Sequence, residues 1–420
     1  MASLQNAQTL AVQLERVEPG LPILFERDDT LLKMIEVSKR VRKVSMRNMR
    51  VPLKMRPGGK YAAHTMDGDD LGLGSGGVYD VAQLTPVFRT FAIQFTELAM
   101  YATETDEQAQ TNIFNQEVAD AMKQFRMAVD AELNTNGNGV LGVITVVSTN
   151  TFTLNAAQSA ALFYYNQDIQ VYDTTLTTNR GTATVVMVDP LLNQIIVNSA
   201  PAGTVATDVL VPAGLSGASP VALYGIKYHH QDITTGTWLT LSRPTYPELL
   251  KSAHFAAGNA ALVPSNYRVV LNKIRRTLGK NAVKEMNLKA YMSPLQAQAY
   301  EQLALLVTQI FREPGKGEKE MVDLSYNAEE GTMANVPIVT SIHADNARID
   351  FLALKHWGRA EIRPIGWFTN KAGLKFFQVY GASGGIASAE ISYLEVGFQV
   401  WMDGPRYGAF IDGLSIPAGN

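Results

Sequence analysis

Arg47-Asn-Met-Arg-Val-Pro-Leu-Lys-Met-Arg-Pro-Gly-Gly-Lys60 is a basic strand that runs into a turn. It continues through Asp67-Gly-Asp-Asp-Leu-Gly-Leu-Gly-Ser-Gly-Gly77 and is expected to return as a second strand over Leu84–Met100. The middle of this hairpin is too polar and Gly-rich to own a core. Connections this long are uncommon inside a compact domain and are either functional or disordered. A long two-stranded arm is marginal alone in water. Laying it on another subunit removes the difficulty. The stretch therefore points to a protein that holds copies of itself.

Charge on either side of the turn supports this reading. Lys33–Lys60 carries ten basic residues against Glu36, whereas Tyr61–Asn136 carries twelve acids against Arg89, Lys123 and Arg126. Adjacent blocks of opposite sign can dock on neighbouring copies, or can be two solvated faces. Overall the chain is nearly neutral, with net charge -3 over 420 residues, which gives no general drive toward nucleic acid or membrane. It is 46% hydrophobic and only 18% charged, a balance that suits large buried surfaces, including interfaces. The length is enough for two or three domains. With no cysteine, disulfides and thiolate metal sites are excluded. No apolar run approaches the ~20 residues of a membrane span. Met1–Thr9 has no basic start followed by an apolar core, so no signal peptide is expected, and a cytosolic protein is the default.

The rest of the chain falls into segments. Residues 1–46 read as an extended arm, with short helices expected at Gln5–Val17 and Leu31–Ser38, the second capped by Asp28-Asp29-Thr30. A long helix is expected at Thr105–Leu133. Thr105 and Gln108 form a capping box, and Phe114, Val118, Met122, Phe125, Val129 and Leu133 recur every three to four residues. At 1.5 Å per residue it is roughly 40 Å long, a spine for a sheet to pack on. Asn134-Thr-Asn-Gly-Asn-Gly139 stops it.

Val140–Leu223 changes character. Only Asp168, Asp173, Arg180, Asp189 and Asp208 are charged, and Val, Thr and Ile dominate. Hairpins are expected at 143–154 and 182–198, so this is a small all-β module, a barrel or a sandwich, set between mixed segments as an insertion. From Lys227 the pattern is α+β. Helices are expected at Ser265–Leu278 and Pro294–Phe311. Strands are expected at Leu288–Met292, Ile338–Ser341, Ile349–Leu354, Lys375–Tyr380 and Tyr393–Met402.

Candidate chemistry is thin. Gly72-Leu-Gly-Ser-Gly-Gly77 fits the spacing of a dinucleotide fingerprint, but Asp67, Asp69 and Asp70 precede it where an apolar strand should stand. The same aspartates lack the bidentate Glu of a calcium loop. His229-His230 with Asp232 invites a metal; read as strand residues, the two rings point to opposite sides. Glu313–Glu320 contains Gly-Lys-Gly without Walker spacing. There is no Gly-x-Ser-x-Gly and no His-Glu-x-x-His. The expectation is no enzyme, no cofactor and no metal site.

In its order of parts, the chain resembles the major capsid proteins of tailed bacteriophages, the Hong Kong 97-like fold. Arg50–Lys60 and Gly68–Gly77 look like that family's E-loop, and Glu104–Leu133 like its spine helix. Tyr224–Gly236 with Leu241-Ser-Arg-Pro-Thr-Tyr-Pro-Glu-Leu249 looks like the passage from P-domain to A-domain, and Gly404–Ile411 like its C-terminal close. The resemblance implies an N-arm at 1–46, an E-loop at 47–100 and a P-domain at 101–137, 225–264 and 361–420. It implies an A-domain at 265–360, with 138–224 as an inserted β-barrel or sandwich.

Function would be self-assembly into hexamers and pentamers of an icosahedral shell around double-stranded DNA. The implied contact residues are Arg50, Lys54, Arg56, Pro57, Gly58, Gly59, Lys60, Gly72, Gly74 and Gly77 of the E-loop. The implied spine core is Phe114, Val118, Met122, Phe125 and Val129, and the P-to-A passage is marked by Arg243, Tyr246 and Pro247. Implied partners are further copies, a separate scaffolding protein, a portal protein, a possible decoration protein, and packaged DNA held weakly. No membrane is implied. The location would be the virion, assembled in the host cytoplasm. Some relatives lock subunits through a Lys–Asn isopeptide bond; Lys54 or Lys60 could supply the lysine, but no motif fixes the Asn. An encapsulin-like compartment and an enzyme with an unrecognised site are the alternatives.

Overall fold

The structure, a computed structural model, describes residues 29–38, 41–45, 48–61, 73–96, 107–215, 222–310, 332–371, 373–380 and 385–417. The expected helix Gln5–Val17, the cap residue Thr105 and the aspartates 67, 69 and 70 lie outside them, as does the Glu313–Glu320 loop.

The spine helix runs over Glu107–Leu133. Its C-terminal half is deeply buried. Phe125, Met127, Val129 and Leu133 are in the core, while Val118 and Met122 are half-buried. The side chain of Phe114 is outside the described residues. The helix ends where expected, and Gly225 packs on that end. A Cβ on Gly225 would stand 2.3 Å from the carbonyl oxygen of Leu133 and 2.4 Å from that of Thr135, so only glycine permits this approach.

The longest strand among the described residues is Ile386–Met402, 17 residues. Trp357–Trp367 and Phe376–Tyr380 pair antiparallel with successive parts of it, and Val87–Thr96 pairs with residues 389–398 along its other edge. Sequence reading expected only Tyr393–Met402 and missed Trp357–Trp367. That strand carries Arg359, Glu361, Arg363 and Pro364, and its pairing is irregular between 361 and 366. Proline sits in sheets at such irregularities, and the mixture hides the alternating pattern.

A second, six-stranded mixed sheet has the order 253–260, 409–414, 349–353, 288–292, 336–340, 332–333. Helices Pro264–Leu278, Lys280–Glu285 and Pro294–Ile310 accompany it. Tyr267, Val270, Leu271 and Ile274 share a core with Ala290, Met292, Phe351 and Ile411. Sheet membership therefore differs from the boundaries expected at 265 and 361. Ala253–Ala260 and Ala409–Leu414 belong with 288–292 and 349–353, whereas Trp357–Trp367 belongs to the long sheet.

Residues 142–212 form a closed six-stranded barrel, in the order 209–212, 142–148, 151–154, 194–197, 179–189, 168–172, with the last strand pairing back to the first. Both expected hairpins are present. Ile144, Phe152, Leu154, Phe163, Ile169, Val185, Ile195 and Leu210 fill it. Closure leaves no open strand edge. The chain enters and leaves at one point, since a Cβ on Gly139 would lie 3.6 Å from that of Ala222.

Candidate functional site

The hairpin is built differently from the sequence expectation. Asn48–Arg56 pairs with Val78–Leu84, not with Leu84–Met100, and Arg42–Ser45 adds a third strand. Thr85-Pro86 ends the return strand, because proline cannot continue the ladder. The following strand, Val87–Thr96, joins the long sheet instead.

One face of the hairpin's base is apolar and lies on this chain's own core. Met49, Val51, Met55, Ala82 and Leu84 alternate along the two strands and are buried with Trp238, Leu239, Leu241, Tyr246, Leu249 and Leu250. Each large side chain removed from water contributes about 1.5–3 kcal/mol. Polar contacts fix the same seat. Gln83 N–H donates to Leu239 O at 3.1 Å, and Tyr246 Oη donates to Asp80 Oδ2 at 3.3 Å. Lost hydration, then the nearby Asp80 carboxylate, pushes the Tyr246 phenol up. Arg56 holds Glu248 through Nη2 at 2.9 Å and Nε at 3.1 Å, and its guanidinium lies 5.6 Å from the Tyr246 ring centre. The backbone amide of Glu248 itself, then Arg56, keeps that carboxyl below the usual range. Arg56 is thus engaged inside its own chain, which limits its part in the expected charge docking. Arg50 and Lys54 are exposed on the outer face with Tyr79 and Val81, and Lys54 Nζ stands 5.7 Å from the Tyr79 ring centre.

Toward the tip the contacts run out. Gly59 N–H donates to Ser75 O at 2.8 Å, and Ser75 Oγ returns a bond to Gly59 O at 3.2 Å. A Cβ on Gly58 would sit 2.6 Å from Gly77 N, so the two backbones cross at contact distance there. Pro57, Lys60 and Gly74 are exposed, and Gly72 is outside the described residues. Beyond the crossing, Tyr61 is 96% and Leu73 91% exposed. Two large apolar side chains therefore stand in water at the last described residues of the two hairpin strands.

Arg243, Tyr246 and Pro247 lie in the segment that seats the hairpin, and each has a different surrounding. Arg243 is buried; Nη1 donates to Ile233 O at 3.1 Å and Leu250 O at 2.9 Å, and Nη2 to Gln231 Oε1 at 2.8 Å. Burial lowers its pKa. It ties both ends of the 231–250 loop, and Tyr246 is the floor under Arg56 and Asp80. Pro247 is exposed.

Sequence reasoning missed a polar hub at the C-terminal end of the spine helix. Asp130 accepts from Leu32 N–H at 2.7 Å and pairs with His343 Nδ1 at 2.8 Å. Glu132 binds Arg89 Nε at 2.8 Å and accepts from Leu223 N–H at 3.0 Å. Carboxylates near a helix C-terminus oppose its dipole, so Arg89 and His343 offset an unfavourable placement. The hub joins the arm, the long sheet, the chain leaving the barrel, and the 341–348 loop. Only spacing along the helix is visible in sequence, and these partners are 43 to 213 residues away.

His229 and His230 are held by packing and hydrogen bonds, and they do not stand on a strand. His229 and His230 end a short helix, Ile226–His229, and both are fully buried. Trp238 Nε1 donates to His229 Nδ1 at 3.2 Å, and His230 Nδ1 meets Asp350 at 2.8 Å. Burial lowers the His229 pKa to about 3 and also lowers that of His230. Among the described residues, no group of three or more His, Asp or Glu is placed to hold a metal ion. No described helix is long and apolar enough to cross a membrane.

No family model matches the chain, and no curated protein matches it in sequence. In three dimensions it is similar to the chain of the cyanophage A-1(L) capsid asymmetric unit, at 12% identity and a TM-score of 0.55, covering 95% of this chain and 96% of that one. The capsid of a native GTA particle follows at 10% identity and TM-score 0.48, covering 95% and 94%. The holo-SrpI encapsulin complex from Synechococcus elongatus PCC 7942 follows at 9% and 0.44, covering 100% and 98%. Only the first is close enough to carry an argument, and what it carries is the fold. The resemblance read from the sequence is borne out at that level.

Proposed function

We propose that this chain is the major capsid protein of a tailed phage, assembling into hexamers and pentamers of an icosahedral head around double-stranded DNA. The observation that carries the reading is the end-to-end likeness to a cyanophage capsid chain, with 95% and 96% of the two chains superposed. The hairpin supports it independently: Tyr61 and Leu73 stand in water, and a second copy would cover them.

In this reading residues 1–46 are the N-arm and the hairpin is the E-loop, shortened at its C-terminal side to 48–84. The spine helix and the long sheet form the P-domain. The A-domain is the six-stranded sheet, extended to take in 253–260 and 409–414. The barrel is an inserted domain whose entry and exit lie side by side near Gly139 and Ala222. A separate scaffolding protein, a portal protein and a possible decoration protein are the expected partners, with packaged DNA held weakly. The location is the virion, after assembly in the host cytoplasm. The protein works as a structural part and not as an enzyme.

Negative-stain microscopy of the purified protein tests the reading. Closed shells, capsomers or tubes are expected, with nuclease-protected DNA inside heads from infected cells. Uniform monomers under all assembly conditions would reject it. Shells that hold a protein cargo and no DNA would point to an encapsulin-like compartment instead.

A further inference from the structure

The basic block singled out in the sequence, Lys33–Lys60, is not the chain's only concentration of positive charge. Between Lys251 and Lys289 stand Lys251, Arg268, Lys273, Arg275, Arg276, Lys280, Lys284 and Lys289, against Glu285 alone. The structure gathers most of these on one surface. Helix Pro264–Leu278 buries Asn266, Tyr267, Val270, Leu271 and Ile274 against the six-stranded sheet, which turns Arg268, Lys273, Arg275 and Arg276 to solvent. Helix Lys280–Glu285 follows directly and exposes Lys280 and Lys284. Among the described residues, Arg268, Arg275, Arg276, Lys280 and Lys284 have no carboxylate within ion-pair distance. In the N-terminal block Lys33 pairs with Asp29 and Arg56 with Glu248, while Arg42, Lys43, Arg50, Lys54 and Lys60 are exposed on the strands and turn of the hairpin rather than along one helix.

A cleft of about 400 Å³ opens beside this helix. Lys251, Lys273, Arg276 and Arg406 line it, facing Asp232 and Glu248. Arg276 belongs to both the cleft and the helix face. Arg275 and Arg276 complement the helix dipole, since both lie in its last turn. The dipole does not account for Arg268, two turns earlier, or for Lys280 and Lys284 on the next helix. Arg268 to Arg276 covers eight residues of helix rise, ~12 Å, and Lys280 and Lys284 follow on the next helix, so the charges form a stripe rather than a point. A stripe of that length fits an extended polyanion better than a single acidic side chain.

We infer that the face formed by Arg268, Arg275, Arg276, Lys280 and Lys284 binds the phosphate backbone of duplex DNA without sequence preference. The inference rests on the proposed capsid function and assigns the DNA contact to this face, not to residues 33–60. Contacts of this kind release counterions, so affinity falls with salt by ~0.9 in log-log slope per phosphate neutralised. A weak, salt-sensitive surface holds packaged DNA without arresting its movement.

The test uses the purified full chain and a fluorescent ~30-base-pair duplex, titrated by anisotropy across a salt series. One variant carries Arg268→Gln, Arg275→Gln, Arg276→Gln, Lys280→Gln and Lys284→Gln. A control carries Arg42→Gln, Lys43→Gln, Arg50→Gln and Lys54→Gln, which are equally exposed. Circular dichroism and microscopy accompany both. The first variant is expected to bind at least about tenfold more weakly at low salt, with its salt slope reduced by about 3–4. The control should keep most of both. An unchanged slope in the first variant, or an equal loss in the control, overturns the assignment. Loss of assembly with unchanged DNA binding also overturns it, since the face then meets an acidic surface of another copy. Failure of the wild-type chain to form shells counts against the capsid function alone, because the DNA titration is read on soluble protein.

Discussion

The barrel and the hairpin are both β-rich excursions from the same body, and they solve the problem of stability in opposite ways. The barrel closes on itself, carries its own buried cluster, and meets the body at few points. Those include Ala131 of the spine within its core and Asn346, whose N–H donates to Ala157 O at 2.8 Å. The hairpin has no core of its own. Its base borrows Trp238, Leu241 and Leu250 from the body, and Tyr61 and Leu73, the last residues described on its two sides, stand in water. A self-contained element can be added to a protein without altering the contacts of its body. An element that lacks a core is, by the same logic, the one that has to find a partner.

The sharpest way to break this contrast is to cut a large side chain from each core. Phe152→Ala, at 0% exposure in the barrel, should cost about 3–5 kcal/mol, and Leu84→Ala, at 0% in the hairpin's seat, about 2–5 kcal/mol. Hydrogen exchange should show the first loss confined to residues 140–215, with strand 386–402 still protected. The second should weaken the hairpin and the long sheet together. Loss of protection throughout the chain in Phe152→Ala would mean that the barrel is part of the main core.

Acid should separate the two regions next. His229 is buried and neutral, with its pKa lowered to about 3, whereas residues 140–223 contain no histidine. An unfolded histidine near 6.5 binds its proton sooner than the folded one. The contribution is therefore fully present above about pH 6.5 and is lost as pH falls toward 3. Its full size is of the order of 4–5 kcal/mol. Between pH 6 and 4 the body should lose stability faster than the barrel in urea titrations. His229→Gln should flatten that slope for the body only; an unchanged slope would remove His229 from the account.

The smallest effect expected is at the edge of the hairpin's seat. Arg56 and Glu248 are each about half-exposed, at 49% and 50%. Arg56→Ala should cost only ~0.2–1 kcal/mol, less at high salt. A loss of several kcal/mol in thermal unfolding would show that the ion pair, rather than Met49, Val51 and Leu84, seats the hairpin.

Local patterns carried much of this fold into the sequence. The spine helix was legible because Phe125, Val129 and Leu133 repeat at helical spacing, and both barrel hairpins because Ser148–Thr151 and Asp189-Pro190 punctuate β-branched runs. The hairpin itself was visible, but its return strand was misplaced. Thr85-Pro86 marked the break, yet the apolar run on its far side read as a continuation. Strands 253–260 and 409–414 were missed because Ala253-His-Phe-Ala-Ala-Gly-Asn-Ala260 has no alternation, and Ala409–Leu414 is short, preceded by Gly408 and interrupted by Gly413. Their pairing is settled by register with residues over 150 positions away, which no local window contains. The same holds for Arg56 with Glu248 and Asp130 with His343. The basic face on helix 264–278 is different in kind. Its residues are contiguous in sequence, and a count of charge beyond Lys60 would have found it.

The claim that most needs testing is that the hairpin's tip, and not its base, joins one copy to another. Residues 58–76 can be replaced by a two-residue Asn-Gly turn between Pro57 and Gly77, leaving Met49, Val51, Met55, Ala82 and Leu84 in place. Sedimentation velocity of this variant beside the full chain, under conditions that assemble the full chain, reads the outcome directly. The account predicts a folded protein that stays as monomers or small capsomers while the full chain forms shells. Closed shells at normal yield from the shortened chain would contradict it.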